Sequence, residues 1–333
     1  MQICPATLMA VSDPERLLTA LRFAARGRRR RPDVAWGLMC AEEVALRLSD
    51  QLRAGRWRPS PCRVSIVHTP KPRPIARPTF EDRVVHAAVV ALVEPWWRRR
   101  ARPESMACRP GGGAHRAVLA LAEGMKRHAM VVHLDLRAFF PSIGHDRVGA
   151  LLGASLRDPA LAGLIEAIAR SGGEVYRSAA VRDALALRPA WPPPGHGLAL
   201  GSSVSRWLAN HVMLDAFDHH VKRHLRVPAY VRYLDDLFLF GDQRGHLRAA
   251  RDGAVAWLGE ERGLVVKDPD TPLRPCAGRL DALGHIIRRR GVEALPRALR
   301  RVRARVRGLL AERGRRRLAR SMASTAGVLL FGA

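Results

Sequence analysis

The tetrapeptide Tyr233-Leu234-Asp235-Asp236 constrains this chain more than any other segment. It lies between Tyr230-Val231-Arg232 and Leu237-Phe238-Leu239-Phe240, two short runs dominated by apolar and aromatic residues. Such runs around a polar pair read as a strand–turn–strand hairpin with two carboxylates at its tip. Like charges held so close are costly unless a cation neutralises them. An exposed acidic turn is the plain alternative, because Asp is common in turns. A second strand ending in Asp shifts the balance. Met130-Val131-Val132-His133-Leu134-Asp135 is mostly apolar and β-branched up to its last residue, and Phe139-Phe140-Pro141-Ser142-Ile143 follows. Carboxylates at the ends of neighbouring strands suit two divalent cations held roughly 3.5–4 Å apart. The expected metal set is Asp135, Asp235 and Asp236, with the backbone carbonyl of Leu136 as a further oxygen ligand. Hard oxygen donors favour two Mg²⁺, with Mn²⁺ as the alternative. Such a pair serves in-line phosphoryl transfer.

Charge narrows the partner. The chain carries 57 Lys and Arg against 30 Asp and Glu, a formal net charge of +27. Only Lys71, Lys126, Lys222 and Lys267 are lysines. A GC-rich genome accounts for Arg over Lys, but not for the excess of bases over acids. A polyanion, nucleic acid first, is the expected partner. The five cysteines are scattered and form no CxxC, so neither a disulfide framework nor a zinc site is expected, and a reducing cytoplasm fits. No uncharged apolar stretch reaches about 18 residues, so no membrane span is expected. No secretory signal is expected at the N-terminus either.

Periodicity places the rest. Residues 14–25, 41–54, 80–97, 114–127 and 246–262 read as helices, and 146–171 and 203–223 as largely helical. In 80–97 the buried stripe is Val84, Val85, Ala88, Val89, Leu92 and Val93. Arg28-Arg29-Arg30-Arg31-Pro32 reads as a basic loop, Pro70 to Pro78 as non-helical, and Pro192-Pro193-Pro194-Gly195 as a stiff linker. Short strands are expected near 263–267 and 280–288. From Leu295 to Arg320 the tail has eleven Arg and a single Glu, with Leu299, Val302, Val306, Leu309 and Leu310 on one helical face. That helix is expected to meet a duplex backbone.

In this order the motifs resemble those of bacterial reverse transcriptases of the group II intron, retron and diversity-generating retroelement types. The likeness runs from about residue 15 to the C-terminus. Arg73-Pro74-Ile75-Ala76-Arg77-Pro78-Thr79 with Asp82-Arg83-Val84-Val85 is similar to the fingers motif RPLGIPT…DRVVQ. Ser105 to Gly111 resembles SYACRPG, and Asp135 to Ile143 resembles DIRKFFPSI. Gly197 to Asn210 resembles GLPxGxxTSQxxAN. Tyr233 to Asp236 matches the YxDD box, and Leu283-Gly284 the primer grip. The resemblance implies an α+β right-hand polymerase: N-terminal extension and fingers over 1–127, palm over 128–291 with a fingers insertion around 150–196, and helical thumb over 292–333. It implies an RNA-directed DNA polymerase that extends a primer 3′-hydroxyl with dNTPs on an RNA template. The catalytic carboxylates would be Asp135, Asp235 and Asp236. Arg73, Arg77, Phe140, Arg206 and Tyr233 would bind substrate, Phe140 as the ribose gate. Its partners would be the RNA template, the RNA–DNA duplex and dNTPs, with a small basic accessory protein or a structured non-coding RNA. Diversity generation, retron synthesis and phage defence share these motifs.

Four departures stand out. Arg206 replaces the usual Gln, Ala199 the usual Pro, Ala282 the usual Phe and Met106 an aromatic. Arg cannot accept a hydrogen bond as Gln does. A non-catalytic nucleic-acid-binding protein on the same fold is therefore a rival, and an untemplated DNA synthesiser a second. Lys267 follows Leu264-Val265-Val266, where related polymerases place a basic residue near the leaving pyrophosphate. Lys can release a proton where Arg cannot, so Lys267 is read as a general acid, with a chance lysine at a strand end as the plain alternative.

Overall fold

The computed structural model describes residues 3–68 and 71–311, a mixed α+β arrangement of helices and small antiparallel sheets. The chain opens with α1 (Leu8–Val11), α2 (Pro14–Ala24), α3 (Pro32–Met39) and α4 (Ala41–Arg53). The side chain of Asp13 accepts from the Arg16 N–H and Pro14 occupies the first turn, so α2 starts where capping chemistry dictates. The basic run is a turn only as far as Arg31; Pro32 starts α3 rather than closing the loop. The hairpin β1 (Arg63–Val67) and β2 (Arg73–Arg77) follows, with Arg63 opposite Arg77. Thr79 caps α5 (Phe80–Arg100), and Val84, Val85, Ala88, Val89 and Val93 are buried as their spacing requires, with Leu92 half-buried. Next come α6 (Ala114–Arg127), β3 (Met130–Asp135), α7 (Phe139–Ser142), α8 (His145–Ser155), α9 (Pro159–Gly173), α10 (Ala179–Ala184) and α11 (Ser203–Trp207). A π-turn over Leu208–Val212 leads into α12 (Asp215–Arg223). The chain continues as β4 (Ala229–Tyr233), β5 (Asp236–Gly241), α13 (Arg244–Arg262), β6 (Arg274–Pro275), β7 (Leu280–Ala282), β8 (His285–Arg288), β9 (Gly291–Ala294) and α14 (Pro296–Ala311). The strand expected at 263–267 is reduced to one isolated bridge, between Val266 and Leu136. The tail beyond 311, and the side chains of Val306, Leu309 and Leu310, lie outside the described residues. Of the proposed stripe, Val302 is buried and Leu299 half-buried.

Two compact units divide the chain. The first holds residues up to Arg102, Arg137–Phe217 and Trp257–Val265. Its helices α2 and α4 pack on each other, and α2, α3 and α4 on α5. The loop from Gly197 to Gly201 joins separate segments of this unit. The Gly197 and Leu198 N–H groups donate to Ile143 and Phe140 at 2.9 Å, and the Leu200 carbonyl accepts from Ala76 at 2.6 Å. Gly201, at φ 112°, leaves no room for a side chain: a Cβ would stand 2.2 Å from the Ala76 carbonyl oxygen. The loop thus ties β2 to the start of α7.

The second unit holds Pro103–Leu136, Asp218–Ala256 and the residues from Val266 onward. Its sheet runs β4-β5-β3-β6, and β7-β8-β9 forms another. Val118, Leu121, Met125, Val131, Val231, Phe238, Phe240 and Ile287 share one buried cluster. Gly124 lets α6 approach closely, since a Cβ there would come 2.7 Å from the Phe240 ring.

Candidate active site

Register builds the site. In β3 against β5, Val131 faces Phe240, His133 faces Phe238 and Asp135 faces Asp236. In β4 against β5, Ala229 faces Phe240, Val231 faces Phe238 and Tyr233 faces Asp236. Paired residues share a face, and alternate residues return to it. One face therefore runs from an apolar end at the buried Val131 and Phe240 and the half-buried Ala229 to a polar end at Asp135, Asp236 and Tyr233. The three polar residues are half-buried. Paired Cβ atoms in such ladders stand about 4.5–5.5 Å apart, close enough for two carboxylates to share a cation. Asp235 joins them from the two-residue turn between β4 and β5.

That turn is strained. Leu234 has φ 57°, the left-handed region where hairpins of this length favour Gly or Asn. A branched side chain there costs about 1–2 kcal/mol. The Leu136 N–H donates to the Asp235 carbonyl at 3.3 Å, and the Lys267 N–H donates to the Asp135 carbonyl at 2.8 Å. The buried Leu136 and the exposed Lys267 thus sit beside the carboxylates through their backbones. Burial raises the Tyr233 hydroxyl above its ordinary pKa, helped by nearby Cys108 and Asp236, so this phenol stays protonated at neutral pH.

His133 is the residue that sequence reasoning passed over. Its Nε2 donates to Asp236 Oδ1 at 2.8 Å, and its ring stacks on Phe238 with centroids 4.3 Å apart. A histidine two residues before a strand-terminal Asp lies on the same face; that alternation was the available signal. The contact engages one carboxylate oxygen of Asp236.

Among the described residues no group of three or more His, Cys, Asp and Glu is gathered closely enough to hold a metal ion. The donor chemistry nonetheless suits a hard divalent cation: Asp135 and Asp236 are carboxylates in direct register, and Asp235 is the next residue of the turn.

The other residues singled out belong to the first unit. Arg73 and Arg77 are exposed at the two ends of β2. Phe140 is half-buried on α7, edge-on to the buried Phe139 with ring centroids 5.7 Å apart. Its carbonyl and the Ala76 N–H of β2 both bind the 197–201 loop, so that loop links β2 to the Phe pair. Arg206 is exposed on α11, within electrostatic reach of Glu94. Burial raises the Glu94 carboxyl above its usual range, and the Arg98 and Arg206 charges oppose that rise.

A family model described as "Reverse transcriptase (RNA-dependent DNA polymerase)" matches residues 65–269, more than half of the chain. Protein YkfC of Escherichia coli (strain K12) is 26% identical over 186 residues, which covers 52% of this chain and 44% of that protein. The chain thus spans less than half the length of that relative. Among the described residues, no helix is long and apolar enough to cross a membrane.

Proposed function

The chain belongs to the reverse transcriptase family, and from that premise we propose that it is an RNA-directed DNA polymerase. The observation that carries the reading is the register of β3 on β5, which sets Asp135 opposite Asp236 beside the Asp235 turn. In this reading the second unit supplies the palm, β2 with α5 the fingers, and α14 the start of the thumb. Asp135, Asp235 and Asp236, with the Leu136 carbonyl, would hold Mg²⁺. The bound cations would lower the cost of deprotonating the primer 3′-hydroxyl and offset charge on the departing pyrophosphate. His133 holds Asp236 in one orientation. Arg73 and Arg77 would meet the incoming triphosphate, and the Phe140 ring would exclude a 2′-hydroxyl. Lys267 would protonate the pyrophosphate as it leaves. Template RNA, RNA–DNA duplex and dNTPs are the partners, and a retroelement or phage-defence setting is proposed on family grounds.

A non-catalytic reading draws on Arg206, whose charge faces Glu94 at the position where the family uses Gln. Primer extension on an RNA template with Mg²⁺ separates the two. Asp235→Asn is expected to cut extension by about 10³-fold, equivalent to roughly 4 kcal/mol of transition-state stabilisation. Equal extension by wild type and variant, or none by wild type, defeats the polymerase reading. Product formed without any template favours untemplated synthesis. In the same assay Lys267→Arg is expected to slow turnover by about 10²-fold. Unchanged turnover across the pH range removes its role as an acid.

A further inference from the structure

Between Asp218 and Asp235 the chain has no acidic residue, and between Asp242 and Asp252 it again has none. These two basic stretches come together in the second unit, at the end of β4 remote from Tyr233. His246, in the first turn of α13, has Nε2 3.0 Å from the Leu225 carbonyl, to which it donates. Lys222 Nζ donates to the Val227 and Pro228 carbonyls at 2.8 and 2.9 Å. The Leu225 side chain fills the space that Gly253 leaves, where a Cβ would stand 2.8 Å from Leu225 Cδ2. Arg226 takes φ 51°. The loop after α12 is therefore pinned at several points along its length, and its basic side chains have a fixed base.

This loop and α13 border a groove of about 460 Å³. Arg223, His224, Arg226 and His246 line it over Leu225 and Ala250. The four basic residues are exposed. Arg223 and Arg226 make no ion pair among the described residues. Arg244 and Arg248, also exposed and without an ion pair among the described residues, continue the basic surface along α13. Arg223 and Arg226 place two like charges on one braced loop, and an anion in the groove relieves their repulsion.

We propose that this groove seats backbone phosphates of a nucleic-acid strand, at a site separate from the hairpin carboxylates. Guanidinium groups offer planar forks that match phosphate oxygens, while His246 spends its N–H on bracing the loop. β4 spans four residue steps from Ala229 to Tyr233, roughly 13 Å, so the groove and the acidic tip address different parts of a bound polymer. The chain's net charge of +27 draws a polyphosphate toward every face, but here the donors are held in a cavity by a braced loop. Catalysis is not a premise of this site: Asp235→Asn tests extension, whereas the variants below test binding.

The test is fluorescence anisotropy of labelled single-stranded RNA and labelled RNA–DNA duplex with the full chain over a salt series. Each lost phosphate contact reduces the slope of log K against log salt by about 0.7 for single strands and 0.9 for duplex. Arg223→Gln with Arg226→Asn is therefore expected to reduce the slope by roughly 1.4–1.8. Arg16→Gln with Arg22→Gln removes the same charge from exposed positions of α2 and is expected to change it less. Arg223→Lys with Arg226→Lys is expected to keep it, which separates lost contacts from misfolding. An unchanged slope in the first pair, an equal loss in the α2 pair, or a loss in the Lys pair overturns the proposal. So does loss of labelled poly-glutamate binding with nucleic-acid binding intact, which would assign the groove to an acidic protein.

Discussion

The two faces of the β4-β5-β3 sheet treat charge in opposite ways. On one face Arg232 is sealed against Asp218 of α12, with side chains 1% and 0% exposed. Arg232 donates from Nη2 to Asp218 Oδ2 at 2.6 Å and from Nε to Oδ1 at 2.7 Å. The Tyr230 hydroxyl adds a bond to Oδ1 at 2.9 Å, and Arg232 Nη2 reaches Ser105 Oγ at 2.8 Å. Burial and the Asp218 charge hold the Tyr230 hydroxyl far above its ordinary pKa, so it remains a donor. On the other face Asp236, about one-third exposed, is held by one imidazole, in register with Asp135. The closed face answers its own charge and acts as structure. The open face keeps its carboxylates at a half-exposed rim.

Breaking each side gives different losses. Asp218→Asn leaves the Arg232 charge buried without its counter-ion and is expected to destabilise the fold by about 3–5 kcal/mol. Denaturant unfolding reads this; a change below about 1 kcal/mol would erase the contrast between the faces. Asp235→Asn is expected to leave the same midpoint unchanged. At the rim, His133→Phe keeps an aromatic ring over Phe238 but removes the bond to Asp236. It is expected to raise the Mg²⁺ or Mn²⁺ concentration needed for binding by up to about 100-fold, with little effect on unfolding. His133→Gln, which can still donate, is expected to restore much of that loss. Equal metal titrations for all three proteins would make the contact incidental.

A third buried group, in the first unit, sharpens the rule that a sealed site must either pair its charge or give it up. His86 meets Ser202 Oγ through Nδ1 at 3.3 Å, while its buried Nε2 has no partner. Burial lowers its pKa to about 4. The unfolded chain, with His near 6.5, takes up a proton that the folded chain refuses between these values. The folded state therefore loses stability as pH falls through this window, by about 2 kcal/mol at pH 5. His86→Gln is expected to flatten that part of the pH dependence; curves that stay parallel would show that the proton is accommodated.

Local chemistry made much of this molecule legible. The Val131–Leu134 run, the Asp-rich turn and the stripe on α5 each act through near neighbours in the chain, so β3, the β4–β5 hairpin and α5 followed from sequence. The strand expected at 263–267 did not, because a strand exists only where a partner lies alongside. Arg28–Arg31 hid α3, since charge says little about backbone once Pro32 supplies a helix start. His133 read as an ordinary strand residue.

The sequence by itself determined which residue types stand at the ends of the strands, and their alternation determined which of them share a face. Only the tertiary structure decided that Asp135 stands opposite Asp236, that His133 grips that carboxylate, and that Arg232 closes on Asp218. Register is a property of a pair of strands, and a one-residue slip would send each of these side chains to the other face. No single strand carries that information.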